Sequence, residues 1–232
     1  MDVKVLASSS KGNCTRISDG VTPLLLDAGL PLRQIRERLD FGVSQIGAAL
    51  ITHSHQDHCR GVADLLGAGL ACYMLQSTAE ALGVDGHHRT RIINPRDRFQ
   101  VGTWRILAFD TPHDVENLGF LMVSESGEKA LHLTDTPYCK YRFQSLNYIM
   151  VECNYDLDVL KANVVAGVVD RAVMRRTIRS HMSLQTCLGF LRANDLRQVR
   201  QIWLLHLSDS NSDSERFKTE VQRLTGKPVT CC

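Results

Sequence analysis

The chain has 232 residues, 44% of them hydrophobic and 22% charged, with a formal net charge of +2. That length suits one domain over residues 1–232, and the hydrophobic share supports a sizeable core. No apolar run reaches membrane-span length and no charged-then-apolar leader opens the chain, so a cytoplasmic protein without a membrane partner is expected.

Three short strands are expected first, over residues 3–6, 14–17 and 23–26. The polar loop of residues 8–13 joins the first two. Its backbone N–H groups and hydroxyls, Ser9 among them, could cradle a phosphate or simply form a turn. Pro31 opens a helix over residues 32–39. The apolar run 48–51 reads as a buried strand that delivers a histidine-rich turn, and Gly61 precedes a helix over 62–66. Short strands and helices alternate up to Ile93. Residues 98–134 read as consecutive strands broken by Gly102, Gly119 and Gly127, and 148–153 as a further buried strand. Helices over 182–193 and 212–224 flank a strand over 201–205. There is no repeat, linker or composition break. The eight cysteines show neither C-x-x-C nor framework spacing, so reduced thiols are expected. Periodicity alone gives a mixed α and β protein.

The turn of residues 52–58 reads Thr-His-Ser-His-Gln-Asp-His. Imidazole and carboxylate are the ligands that a borderline divalent metal such as Zn²⁺ prefers. Alternate residues of an extended turn point the same way, so His53 and His55 can grip one ion while Asp57 and His58 face a second position. Further candidates sit at or just past the ends of expected strands: His113, Asp135 and His206. His181 comes after a basic run that holds Arg175, Arg176 and Arg179, whose guanidinium forks suit phosphate oxygens. Any one of these arginines could equally line a solvated helix face. The modest net charge decides nothing about nucleic acid, because its distribution matters more than its sum.

Five segments, in order, resemble the motifs of the metallo-β-lactamase superfamily: residues 24–29 (LLLDAG), 52–58 (THSHQDH), 112–113 (PH), 133–136 (LTDT) and 205–208 (LHLS). Three more, 7–14 (ASSSKGNC), 151–156 (VECNYD) and 180–183 (SHMS), resemble the YycJ/WalJ-like branch, metal-dependent phosphodiesterases described as DNA exonucleases. The Ser180-His181 pair is also similar to one in the phosphoribosyl cyclic phosphodiesterases. The resemblance implies an α/β fold, the αββα sandwich of two mixed sheets packed face to face with outer helices.

It also implies roles. His53, His55 and His113 would bind one divalent ion, Zn or Mn, and Asp57, His58 and His206 a second; Asp135 would bridge them. Asp27 would stand behind the ligands and orient a histidine by accepting its free N–H. His181, and Asp57 beside the metals, would serve catalysis, His181 as general acid or oxyanion stabiliser. Ser9, Asn154, Ser180 and the three arginines would contact substrate. The expected activity is a dinuclear phosphodiesterase, foremost a DNA exonuclease, with a metal-bridging hydroxide as nucleophile. A small cyclic phosphodiester is the alternative substrate. A thioester comes third, because the Ser180-His181 motif and the arginines favour phosphate. A non-catalytic metal-binding module is opposed by the intact ligand set.

Overall fold

The computed structural model describes residues 1–232, all eight cysteines as free thiols. The chain divides into two compact units, residues 1–110 with 115–128, and residues 111–114 with 129–232. No helix is long and apolar enough to cross a membrane.

The first unit opens on the hairpin of β1 (Asp2–Ser9) and β2 (Gly12–Ser18), with β3 (Pro23–Leu26) antiparallel to β2. From β3 onward the sheet turns parallel through β4 (Ala48–Leu50), β5 (Cys72–Met74) and β6 (Thr90–Ile92). Every residue of β4 is buried, as a central parallel strand requires. Between the strands lie α1 (Leu32–Arg38), α2 (Gln56–Cys59), α3 (Val62–Gly67) and α4 (Gln76–Leu82). Leu25, Ile35, Ile51, Val62 and Leu65 are fully buried in its core. Each such side chain stabilises the fold by about 1.5–3 kcal/mol relative to exposure. β7 (Arg98–Val101), β8 (Trp104–Thr111) and β9 (Asn117–Val123) come next, β7 and β8 antiparallel.

Two details depart from the sequence expectation. Gly119 does not break a strand but lies inside β9, because a Cβ there would fall 2.3 Å from the Phe109 ring. The ring occupies the space that the missing side chain leaves. The histidine turn is not extended throughout: His55 is the last extended residue, and Asp57 and His58 belong to α2.

The second unit carries four parallel strands, β10 (Lys129–Leu133), β11 (Tyr148–Glu152), β12 (Gln201–Leu205) and β13 (Val229–Cys231), paired in that order. Register sets Leu133 beside Val151 and Glu152 beside Leu205. The residues just past these strands therefore emerge at one edge: Asp135 after β10, Cys153 and Asn154 after β11, and His206 after β12. α5 (Leu157–Val165), α6 (Arg171–Ser180), α7 (Leu184–Arg192) and α8 (Ser214–Thr225) complete the unit. Asp156, Asp170, Ser183 and Asp213 cap them, each side chain accepting a backbone N–H of the first turn.

Candidate metal centre

In the first unit the parallel pairing of β3 and β4 sets Leu26 beside Leu50, so Asp27 and Thr52 leave neighbouring strand ends. The buried Asp27 carboxylate accepts from Thr52 N at 2.8 Å and Thr52 Oγ1 at 2.9 Å. Its other oxygen lies 2.7 Å from His58 Nδ1. A proton on Nδ1 leaves the lone pair on Nε2, where a metal would need it. That nitrogen is 3.5 Å from Asp57 Oδ2. His53 Nε2 and His55 Nδ1 are 3.1 Å apart, close to the edge of about 3.3 Å that a tetrahedron with Zn–N bonds of about 2.0–2.1 Å would have.

Asn13 is a residue that the sequence did not single out for this site. Its amide donates to Ser9 O and lies 2.9 Å from His58 Nε2 and 3.3 Å from Asp57 Oδ2. The polar loop thus reaches the ligand atoms through Asn13, while the Ser9 hydroxyl accepts from Lys11 N at 3.2 Å and closes the loop's own turn. The approach depends on Gly29. Its N–H donates to Asn13 O at 2.8 Å, and a Cβ there would fall 1.7 Å from Asp57 O. Two cysteines, Cys14 and Cys59, flank these loops, and burial pushes both thiols up, Cys59 to about 12.

The second unit gathers Asp135, Glu152, His181 and His206, whose donor atoms all lie within 4.8 Å of one another. Asp135 Oδ2 is 3.9 Å from His113 Nε2 and from His181 Nδ1, and Oδ1 is 3.9 Å from His206 Nδ1. His113 Nδ1 lies 3.0 Å from the Ser180 carbonyl, so its proton can be held there and its Nε2 left as the ligand atom. The buried Asn154 amide donates to His206 O at 2.6 Å and lies 3.1 Å from His206 Nδ1. Asn154 and Ser180, expected at substrate, are both buried, and each contacts a histidine.

Glu152 is the main residue that sequence reasoning missed. A fully buried carboxylate is tolerated only when paired. Its Oε2 accepts from Thr136 N at 2.9 Å and Met182 N at 3.1 Å, and its Oε1 lies 2.7 Å from His181 Nδ1. One side chain therefore ties together the segments that carry Asp135 and His181. Burial alone would lower the His181 pKa, but the Glu152 carboxylate outweighs it and lifts the imidazole above its ordinary value. The available signal was a lone acid ending an otherwise apolar strand.

Asp27, Asp135 and His206 share a further feature: all three have left-handed backbone, with φ of 61°, 50° and 56°. Non-glycine residues take this conformation at a cost, and it recurs where a side chain must be aimed. Arg175, Arg176 and Arg179 are exposed on α6, with Arg176 Nη2 3.3 Å from Asp114 Oδ2.

In each unit, then, nitrogen and oxygen donors converge, and the second nitrogens of His58 and His113 are held by Asp27 and by the Ser180 carbonyl. Donor type, spacing and outer support all fit divalent metal.

Residues 22–207 match the family described as Beta-lactamase superfamily domain. The chain is 23% identical over 232 residues to exodeoxyribonuclease YycJ of Bacillus anthracis, covering 95% of this chain and 87% of that one. It is 25% identical over 225 residues to exodeoxyribonuclease WalJ of Streptococcus pneumoniae, covering 91% and 83%. Among solved structures, the metallo-β-lactamase fold protein YhfI of Bacillus subtilis superposes with a TM-score of 0.77 at 15% identity, covering 99% and 95%. With the family model matched over most of its length, and with donor clusters suited to divalent metal, the chain belongs to the metallo-β-lactamase superfamily, in its YycJ/WalJ-like branch, and is a metal-dependent hydrolase.

Proposed function

We propose that the chain is a cytoplasmic dinuclear phosphodiesterase that removes nucleotides from DNA. The observation that carries this reading is the end of α6. His181 caps that helix with Nδ1 on Glu152, and the helix bears exposed Arg171, Arg175 and Arg179 spaced four residues apart. That spacing puts the three guanidinium groups on one face that leads to an acid–base group. Like charges at this spacing weaken a helix, and a polyanion relieves the repulsion. The names of the relatives from Bacillus anthracis and Streptococcus pneumoniae point the same way.

In this reading His53, His55 and His113 would hold one Zn or Mn ion and Asp57, His58 and His206 the other, with Asp135 as their shared ligand. The superfamily motif order supports the assignment. The ions would supply Lewis acidity at the phosphate and an activated water. The chain's own residues do the rest: Asp27 fixes the His58 ring, Asn154 holds the His206 backbone through its carbonyl, Ser180 O fixes the His113 ring, and Glu152 fixes the His181 ring. Elemental analysis of metal-loaded protein should find two ions per chain, since seven ligands are too many for one tetrahedral ion. One ion at saturation would reject the shared-site assignment.

The substrate is tested by assaying the loaded protein on single- and double-stranded DNA, RNA and a nitrophenyl phosphodiester. Turnover of the small ester with none of any polynucleotide would reject the nuclease reading and favour the cyclic phosphodiester. On DNA, Arg175→Ala and Arg179→Ala should each lower the log–log salt slope of KM by about one, as one phosphate contact is lost. Arg176→Ala should change it less, because Asp114 already lies 3.3 Å from that guanidinium. Salt slopes equal to the parent's in all three variants would make α6 an ordinary solvated face.

A further inference from the structure

The segment between β10 and β11 carries chemistry that the metal centre does not use. Next to Asp135 is Thr136, fully buried, whose N–H donates to Glu152 Oε2 at 2.9 Å and whose hydroxyl donates to Tyr138 O at 2.8 Å. These bonds pin the backbone of Tyr138 three residues beyond Asp135, within about 11 Å of it along the chain. The Tyr138 side chain nonetheless remains 52% exposed. Besides Tyr138, Phe41 is the other aromatic among the exposed large apolar side chains, and no candidate ligand adjoins Phe41 in the chain.

The far end of the segment is equally fixed. Phe143 is buried, its N–H donates to Asn194 Oδ1 at 2.6 Å, and its ring meets Phe190 edge-on at 6.4 Å. Between the two anchors lie Lys140 and Arg142, both exposed, with Lys140 Nζ 5.1 Å from the centre of the Tyr141 ring. Aromatic and basic side chains thus alternate on a short strap held at both ends beside a candidate metal-bridging carboxylate. That composition serves single-stranded nucleic acid, whose bases stack on aromatic rings while cations track the phosphates. Because every base has a π face, stacking is tolerant of sequence, as an enzyme that removes successive nucleotides needs. Anchoring at both ends lowers the ordering cost on binding.

We propose that Tyr138 is a stacking platform for one nucleobase of the substrate strand near the cleaved bond, with Lys140 and Arg142 on the adjoining phosphates. The proposal rests on the nucleic-acid reading of the site and adds a base-recognising group to it.

The test compares the metal-loaded parent, Tyr138→Ala and Tyr138→Phe on a single-stranded oligonucleotide. A series with a single abasic position moved inward from the end completes it. Metal content and melting temperature serve as controls for folding, and both should stay near the parent's because the side chain is exposed. Tyr138→Ala should raise KM by roughly 5- to 150-fold, the range for one lost base stack, and Tyr138→Phe should restore it. At one abasic position the parent should lose the same factor, and Tyr138→Ala should lose nothing more. At other positions the two effects should multiply. A parent that cleaves DNA while Tyr138→Ala matches it, or while Tyr138→Phe is as poor as Tyr138→Ala, would overturn the platform alone. So would effects that multiply at every abasic position. A parent that hydrolyses a nitrophenyl phosphodiester but neither binds nor cleaves any oligonucleotide would remove the nucleic-acid reading and the platform with it.

Discussion

Asp135→Ala should reduce turnover below detection and lower the metal content to one ion or none. The Asp135 side chain is almost wholly buried, and its two oxygens face different imidazoles. Oδ2 is 3.9 Å from His113 Nε2, and Oδ1 is 3.9 Å from His206 Nδ1. Both distances are too long for hydrogen bonds and leave room for an ion between donor atoms. Only a carboxylate offers two anionic oxygens at one position, so alanine removes a ligand from each proposed ion at once. Loss of the fold is separated from loss of the ligand by Asp135→Asn. The amide oxygen can still accept from Thr134 Oγ1, which holds Oδ1 at 2.8 Å, but the negative charge is gone. The asparagine variant should melt near the parent yet bind metal poorly. Full activity with two ions in the alanine variant would show that the bridge lies elsewhere.

The histidine cluster and the strand ends were legible because both are local. His53, His55, Asp57 and His58 stand within six residues, and residue type alone declares metal chemistry there. Asp27 was placed behind a ligand histidine through its motif, and its carboxylate is found on His58 Nδ1. The hidden features depend on contacts between distant parts of the chain. Glu152 meets Thr136 and Met182, 16 and 30 residues away, and its burial is visible only once those partners close around it. Asn13 reaches His58 across 45 residues, through a gap that Gly29 keeps open. The left-handed backbone at Asp27, Asp135 and His206 had no glycine to announce it. Gly119 misled in the opposite sense: it marks the seat of the Phe109 ring rather than a turn. The short helix α2 was hidden because it carries a single turn, too brief for any hydrophobic period.

His181→Ala should leave the metal content near the parent's and slow turnover of DNA by roughly 10²–10⁴-fold, the range for a lost general acid. The competing assignment makes His181 a ligand, since its donor atom lies within 4.8 Å of those of Asp135, Glu152 and His206. Geometry argues against that. The nitrogen turned toward those groups is Nδ1, and at 2.7 Å from Glu152 Oε1 its proton is already held. The imidazole is thereby locked in one tautomer and orientation, with Nε2 left for a proton that can move to a leaving oxygen. A fifth of the side chain remains open to solvent, as a group that meets substrate requires. The defect should therefore shrink on a nitrophenyl phosphodiester, whose leaving group departs without protonation. It should persist on a poor leaving group such as a nucleoside alcohol. Glu152→Gln should slow the enzyme in the same leaving-group-dependent way, because the amide keeps the shape but no longer stabilises a charged imidazole. An equal His181→Ala defect on good and poor leaving groups would reject proton transfer and assign His181 to contact with the phosphate oxygens. Loss of an ion along with activity would make it a ligand.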